Sequence, residues 1–127
     1  MKIVALDTEA ISFDGLSWQS FNTLGDFSFY DSSSVEEGFA RSKDANAVIV
    51  NKYIIDAEFL KQVPSIKYVG VTATGVNNID LEACKKKGVV VTNVPAYSSL
   101  SVAQLVFTYI TYPVSYTHLT LPTTPYV

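Results

Sequence analysis

Short apolar runs alternate with amphipathic segments along the first 92 residues. Five runs rich in β-branched and aromatic side chains predict strands at residues 3–6, 27–30, 47–50, 67–71 and 89–92. The spacing, about 20 residues from run to run, leaves room for a helix between successive strands, which is typical of parallel strands joined by crossovers. The pattern therefore predicts an α/β fold: an open, doubly wound, parallel five-stranded sheet with helices on both faces.

Helix start and stop signals lie between the predicted strands. Ser34 with Glu37 three residues later predicts a capping box, and Pro64 ends a predicted helix over residues 56–63. Residues 80–87 carry acids in the first turn and lysines in the last, and Gly88 follows as a C-terminal stop. Residues 17–24 predict two helical turns. A longer helix is predicted from Ser98 to about residue 111, with apolar residues at helical spacing: Val102, Leu105, Val106 and Ile110.

Composition narrows the class of protein. The 127 residues suit one domain, 48% of them are hydrophobic, and the net charge of −3 gives no bulk attraction to nucleic acid or an anionic membrane. The early charge at Lys2 and the lack of a long apolar run predict a cytoplasmic protein. The last charged residue is Lys87, so the final 40 residues carry no Lys, Arg, Asp or Glu. A helix buried between two domains would explain part of that absence.

Cys84 is the only cysteine and precedes three lysines. The lysines could lower the thiol pKa, and the alternative is a half-buried cysteine on a helix. With no CxxC motif and no Cys/His cluster, the sequence predicts no metal site.

The loops after the strands are the candidate ligand sites, because open α/β sheets bind ligands beyond the carboxyl ends of their strands. After the fourth strand, Ala73, Thr74 and Gly75 form a small-residue loop whose backbone N–H groups can point at an anion. A carboxylate or phosphate fits that chemistry, and a plain strand-to-helix turn is the alternative.

Two other loops offer side chains to the same edge. Asn51 and Lys52 end the third strand, where a lysine can hold a carboxylate as a point charge or simply be a solvated surface residue. Tyr97 follows the fifth strand and offers either a hydroxyl or a packing ring. The sequence has no GxGxxG motif and no Ser/His/Asp constellation, and His118, the only histidine, is interpreted as an exposed tail residue.

Several blocks in fixed order carry a family resemblance. They are VNK at residues 50–52, KYVGVTATGVNNID at 67–80, GVVVTNVPAYS at 88–98 and SVAQ at 101–104. Together they resemble the D-isomer-specific 2-hydroxyacid dehydrogenases, nearest to the glycerate dehydrogenase and hydroxypyruvate reductase branch. The resemblance covers residues 1 to about 110.

That resemblance implies a flavodoxin-like substrate-binding domain and an enzyme that reduces a 2-keto acid, such as hydroxypyruvate or glyoxylate, with NAD as coenzyme. It implies substrate binding by Asn51, Lys52, Ala73, Thr74, Gly75 and Tyr97, and coenzyme contacts by Thr74 and Val102. The family's catalytic arginine, glutamate and histidine lie further along a full-length chain, as does its coenzyme domain. We therefore expect a fragment that is inactive alone and a homodimeric parent.

The expected organisation has three parts. Residues 1–97 are the N-terminal part of the substrate-binding domain, which the C-terminal end of a full chain would complete. Residues 98–112 are a crossover helix toward the coenzyme domain. Residues 113–127 contain three prolines, predict no continuing helix, and resemble a translated adapter sequence, that is, a non-native tail.

Two other function classes fit parts of the pattern. A non-enzymatic corepressor on the same scaffold would differ only in residues beyond this chain. A signalling receiver shares the alternating pattern, but it needs an acidic pocket after the first strand, where this chain has the single acid Asp7. It also needs a phosphorylatable aspartate at the end of the third strand, where this chain has Asn51 and Lys52.

Overall fold

Five parallel strands form a single sheet in the first 92 residues of the chain. The computed structural model describes residues 1–12 and 17–120, with side chains as far as residue 114. The strands are β1 Lys2–Ala5, β2 Asp26–Phe29, β3 Ala47–Val50, β4 Tyr68–Val71 and β5 Val90–Thr92. Each lies within one residue of its predicted position, so the predicted strand pattern is confirmed.

The strand order is β2-β1-β3-β4-β5, and every neighbouring pair is parallel. In the register of the sheet, Ile3 lies beside Phe27 on one side and Ala47 on the other. The order reverses between β1 and β3, and such a switch point is where doubly wound sheets usually bind ligands.

Crossover helices connect the strands where the capping signals predicted them. They are the 3₁₀-helix η1 Trp18–Thr23, α1 Val35–Ser42, α2 Ala57–Gln62 and α3 Leu81–Lys87. The capping box of α1 is present in full, with Ser34 accepting from the Glu37 N–H and Glu37 accepting from the Ser34 N–H. Gly88 ends α3 with φ at 70°, in the left-handed region that glycine adopts without strain.

The two faces of the sheet are covered differently. One face carries Val4, Val48, Val50 and Val69, which form one buried cluster with Phe59 and Leu60 of α2 and Cys84 of α3. On the other face, residues of η1 border an open apolar cavity of about 590 Å³ together with Ile3, Ala47 and Ile49. The core formed with the α-helices therefore lies on one face of the sheet. On the opposite face, η1 lies near β1 and β2.

The environment of Cys84 overturns the expectation for it. The residue is fully buried rather than half-buried, with 1% of its surface exposed. Burial raises the pKa of the thiol above its ordinary 9.0, and the nearby Asp80 carboxylate acts in the same direction. The three lysines that follow it are exposed, so they do not activate the thiol.

A separate compact unit begins at Ala96, and the unit before it is Met1–Pro95. The second unit, Ala96–Val127, contains α4, Ser99–Thr120, in which Val102, Leu105, Val106 and Ile110 are all more than half exposed. No helix among the described residues is long and apolar enough to span a membrane.

The predicted end of this helix near Tyr112 is wrong, because α4 continues through Pro113 to Thr120. A proline removes one backbone donor and crowds one preceding carbonyl, which bends a helix more readily than it ends one. The other two prolines, at 122 and 125, lie outside the described residues, as do the predictions for residues 121–127.

Candidate functional site

The loops that follow β3 and β4 meet in one groove at the carboxyl edge of the sheet. The groove has a volume of about 270 Å³ and is lined by Asn51, Lys52, Ala73, Gly75, Asn77 and Asn78. Four of these six were predicted as substrate-binding residues from the sequence. Their meeting follows from the parallel β3–β4 pairing, which places both strand ends at the same edge.

The loop after β4 is fixed by hydrogen bonds to the exit of β5. The Val94 N–H donates to the Ala73 carbonyl at 3.1 Å, the Thr74 hydroxyl donates to the Val94 carbonyl at 3.2 Å, and the Asn93 amide donates to the Thr74 carbonyl at 2.7 Å. The carbonyl oxygens of Ala73 and Thr74 are therefore turned toward β5 and occupied. Thr74 itself is not among the residues that line the groove.

The backbone donors of this loop are unoccupied. Within the described part of the chain, the N–H groups of Ala73, Thr74 and Gly75 donate no hydrogen bond. Consecutive unpaired N–H groups in a loop with fixed carbonyls suit an anion. A side chain at Gly75 would meet no atom within 4 Å, so the loop is open at this point.

Lys52 supplies the positive charge of the groove. Its side chain is exposed, and among the described residues its ammonium forms no ion pair or hydrogen bond. Asn51 behaves differently, because its amide nitrogen donates to the carbonyl and the hydroxyl of Thr72, both at 3.1 Å. That nitrogen ties β3 to β4 and is not available to a ligand.

Asp7, which the sequence analysis did not include in the site, organises the exit of β3. One carboxylate oxygen accepts the N–H of Asn51 at 2.7 Å, and the other accepts those of Lys52 at 2.5 Å and Tyr53 at 2.7 Å. The available signal was an acid two positions after the last residue of the buried strand β1. Nothing local to that acid indicates a partner more than 40 positions away.

Tyr53 and Asn78 complete the frame of the groove. The Asn78 amide donates to the Tyr53 carbonyl at 2.8 Å, which links the loops after β3 and β4. The Tyr53 hydroxyl donates to the Val35 carbonyl at 3.2 Å. Burial raises the pKa of Tyr53 above its ordinary 10.0, and the nearby carboxylates of Asp56 and Glu36 add to the rise.

Two predicted residues belong to the second unit. Tyr97 and Val102 are both more than half exposed, and their approach to the groove stays a prediction. No cluster of three or more His, Cys, Asp or Glu side chains that could hold a metal occurs in the part of the chain that the structure describes.

The fold and the groove together define a class of protein: a doubly wound α/β domain with a groove at the carboxyl edge of its sheet, which is lined by one lysine and by residues of the loop after β4. Within that class, the chain belongs to the D-isomer specific 2-hydroxyacid dehydrogenases, whose catalytic-domain model matches residues 6–123. That match extends beyond Tyr112 into the segment interpreted from the sequence as a tail.

Individual relatives agree with the family. The chain is 39% identical over 107 residues to the hydroxypyruvate reductase of Blautia hydrogenotrophica, covering 82% of this chain and 33% of that protein. It is 33% identical over 98 residues to the glycerate dehydrogenase of Methylorubrum extorquens, covering 76% and 30%. The NAD⁺-bound 3-phosphoglycerate dehydrogenase of Entamoeba histolytica superposes with a TM-score of 0.62 at 28% identity, covering 83% of this chain and 36% of that one. The chain therefore spans about a third of the length of the curated relatives it matches.

Proposed function

We propose that this chain is the substrate-binding part of an NAD-dependent D-2-hydroxyacid dehydrogenase that interconverts a small 2-keto acid and its D-2-hydroxy acid. Hydroxypyruvate with D-glycerate is the preferred pair, and glyoxylate with glycolate is the second. The observation that carries the proposal is the row of N–H groups at Ala73, Thr74 and Gly75 that have no partner within the described residues, in a loop whose Ala73 and Gly75 line the same groove as Lys52. The names of the relatives support the substrate class.

The groove suits the carboxylate that all these acids share. A carboxylate accepts two or more N–H groups in a strong charge-assisted contact, and a lysine adds a point charge without demanding one geometry. Because the carbonyls of Ala73 and Thr74 are held by β5, the loop can present its donors without first reordering. Holding the carboxylate fixes the position of the adjacent keto carbon, and this orientation is the contribution to the reaction that we assign to this chain.

The coenzyme is proposed from the family, and the residues present do not form its main site. The printed sequence contains no glycine-rich dinucleotide loop, and the Thr74 hydroxyl already donates to Val94. Bound NAD would supply the hydride donor or acceptor. The same proposal includes coenzyme contacts from Thr74 and Val102. It also includes a cytoplasmic location and a homodimeric parent, and all of these rest on the family resemblance.

Ligand binding rather than turnover is the direct test of this chain. We expect D-glycerate to shift the backbone amide NMR signals of Ala73, Thr74 and Gly75 in a saturable titration. Replacing Lys52→Ala should raise the dissociation constant by about tenfold, since one charge-assisted contact is lost. The matched control is Lys61→Ala, which removes a lysine of α2 whose side chain is 78% exposed and which is not among the residues that line the groove.

The size of the effect and its location decide the outcome. Equal affinities for the Lys52→Ala and Lys61→Ala variants would show that Lys52 is a solvated surface residue. An absence of amide shifts at residues 73–75 at saturating D-glycerate would show that the loop is a plain strand-to-helix turn.

A further inference from the structure

The carboxylate of Asp7 occupies the place where a doubly wound sheet usually receives its ligand. Strand order reverses between β1 and β3, and the crevice beyond the carboxyl ends of these two strands is the general ligand position. Here Asp7 follows β1, and three consecutive N–H groups from the loop after β3 donate to its carboxylate. They are those of Asn51, Lys52 and Tyr53. The crevice is filled by an anion that belongs to the protein itself.

The groove lies one strand further along the sheet, between the exits of β3 and β4. Lys52 takes part in both places. Its backbone N–H donates to Asp7, and the residue also lines the groove. Any rotation of the Lys52 backbone therefore moves the charge that the groove presents.

A second contact holds the same loop from the opposite end. Tyr53 follows Lys52, its hydroxyl donates to Val35, and its ring lies against Gly38 of α1. A β-carbon at Gly38 would approach the Tyr53 hydroxyl oxygen to 2.0 Å, so Gly38 leaves the space that the ring needs. Lys52 is thus bracketed by two fixed neighbours.

We propose that Asp7 is a positioning residue: by binding the N–H groups of residues 51–53 it closes the β1/β3 crevice to ligands and sets the Lys52 ammonium toward the β3/β4 groove. This inference rests on the proposed carboxylate site. It adds that the location of the site is decided by an internal anion. Without the Asp7 carboxylate, the three N–H groups would be unpaired and would themselves attract an external anion.

The test uses the full chain and two amide NMR readouts for Asp7→Ala and the nearly isosteric Asp7→Asn. In both variants the dissociation constant of D-glycerate at residues 73–75 should rise by about fivefold or more. On addition of chloride, the amides of residues 51–53 should shift in Asp7→Ala and should stay unshifted in the unaltered chain, where Asp7 holds them. Asp44→Asn is the control, because it makes the same charge change at an exposed residue.

A third variant covers the case in which the Asp7 variants do not fold. Gly38→Ala keeps Asp7 and displaces the Tyr53 ring, so it should weaken D-glycerate binding in the same direction. Folded Asp7 variants that keep the original affinity and gain no anion response at residues 51–53 would overturn the proposal. If the Asp7 variants are unfolded, unchanged affinity in Gly38→Ala would overturn it.

The two proposals fail in different ways. If the unaltered chain shows no D-glycerate shifts at residues 73–75, the carboxylate site is wrong. The closure of the crevice by Asp7 is then tested by the chloride response of residues 51–53 in Asp7→Ala. Amide shifts on chloride addition support the closure, and their absence overturns it.

Discussion

Backbone N–H groups at the carboxyl edge of the sheet fall into two sets, one with an internal partner and one without. Those of residues 51–53 bind the Asp7 carboxylate, and those of residues 73–75 bind nothing in the described chain. The residue types of the second loop, small side chains and a glycine, were enough to predict an anion-binding turn. The role of Asp7 was not predictable, because it depends on a partner loop that only the β1–β3 pairing brings near.

Asn51 and Cys84 show the same limit for side chains. Asn51 was predicted to bind substrate, yet its amide nitrogen is used by Thr72. Cys84 stands before three lysines in sequence, but a helix places consecutive residues on different faces, so the thiol enters the core while the lysines face solvent. The lysines adjacent in sequence therefore gave a wrong expectation for the thiol pKa, which is raised rather than lowered.

Cys84 should be nearly inert toward alkylation in the folded chain. Its burial and raised pKa lower both access and the thiolate fraction. We expect iodoacetamide to react about a hundredfold more slowly than with the denatured chain at the same mildly alkaline pH. A folded-state rate equal to the denatured rate would show that the thiol is accessible or activated by the neighbouring lysines.

At the scale of elements, local signals predicted the short helices well. The Ser34–Glu37 capping box, the Asp56 and Asp80 caps and the Gly88 stop are all formed by residues within four positions of each other. Such contacts do not depend on the rest of the fold. The predicted end of α4 near Tyr112 is wrong because Pro113 is the single proline inside the described helix, and one internal proline leaves a helix intact.

The α1 capping box should make stability depend on acidic pH. Hydrogen bonding to the Ser34 N–H, then the charge of Arg41, lowers the pKa of Glu37 below its ordinary 4.5. A lowered folded-state pKa contributes stability that is present above about pH 4.5 and is lost as pH falls through the folded-state value.

Glu37→Gln should remove the part of the pH dependence of stability that comes from the Glu37 carboxylate. Urea unfolding of the variant and of the unaltered chain, measured above and below pH 4.5, gives the comparison. The stability difference between them should shrink on the acid side, and a difference that grows as the pH falls would contradict the assignment. Glu36→Gln is the control, since Glu36 is also in the first turn and has no bond to the cap.

At the scale of the whole molecule, stability resides in the first unit. Every buried apolar residue of the described chain lies between Ile3 and Val89, and α4 is exposed along its described side chains. An exposed apolar helix of this kind is an aggregation liability for the chain alone. In the proposed parent enzyme, the second domain would cover it.

Deleting residues 113–127 should therefore change the thermal unfolding midpoint by less than about 3 °C. Leu60→Ala is the sensitivity control, because truncating that buried side chain should cost about 2–5 kcal/mol and lower the midpoint clearly. A comparable loss on the deletion would show that the end of α4 belongs to the stable fold and that the interpretation of residues 113–127 as a tail is wrong.

The sequence by itself determined the strands, the caps and the parallel α/β architecture, because hydrophobic period, β-branched runs and capping residues act over a few positions. For residues 73–75 it predicted an anion-binding turn with a plain strand-to-helix turn as the alternative, and that choice stays a prediction. Tertiary structure alone decided that Asp7 would take the donors at the β1/β3 crevice, that Asn51 would bind Thr72, and that Cys84 would be buried. Each of these depends on which strands lie side by side, and strand order is set by the packing of the whole sheet and its helices rather than by any local pattern.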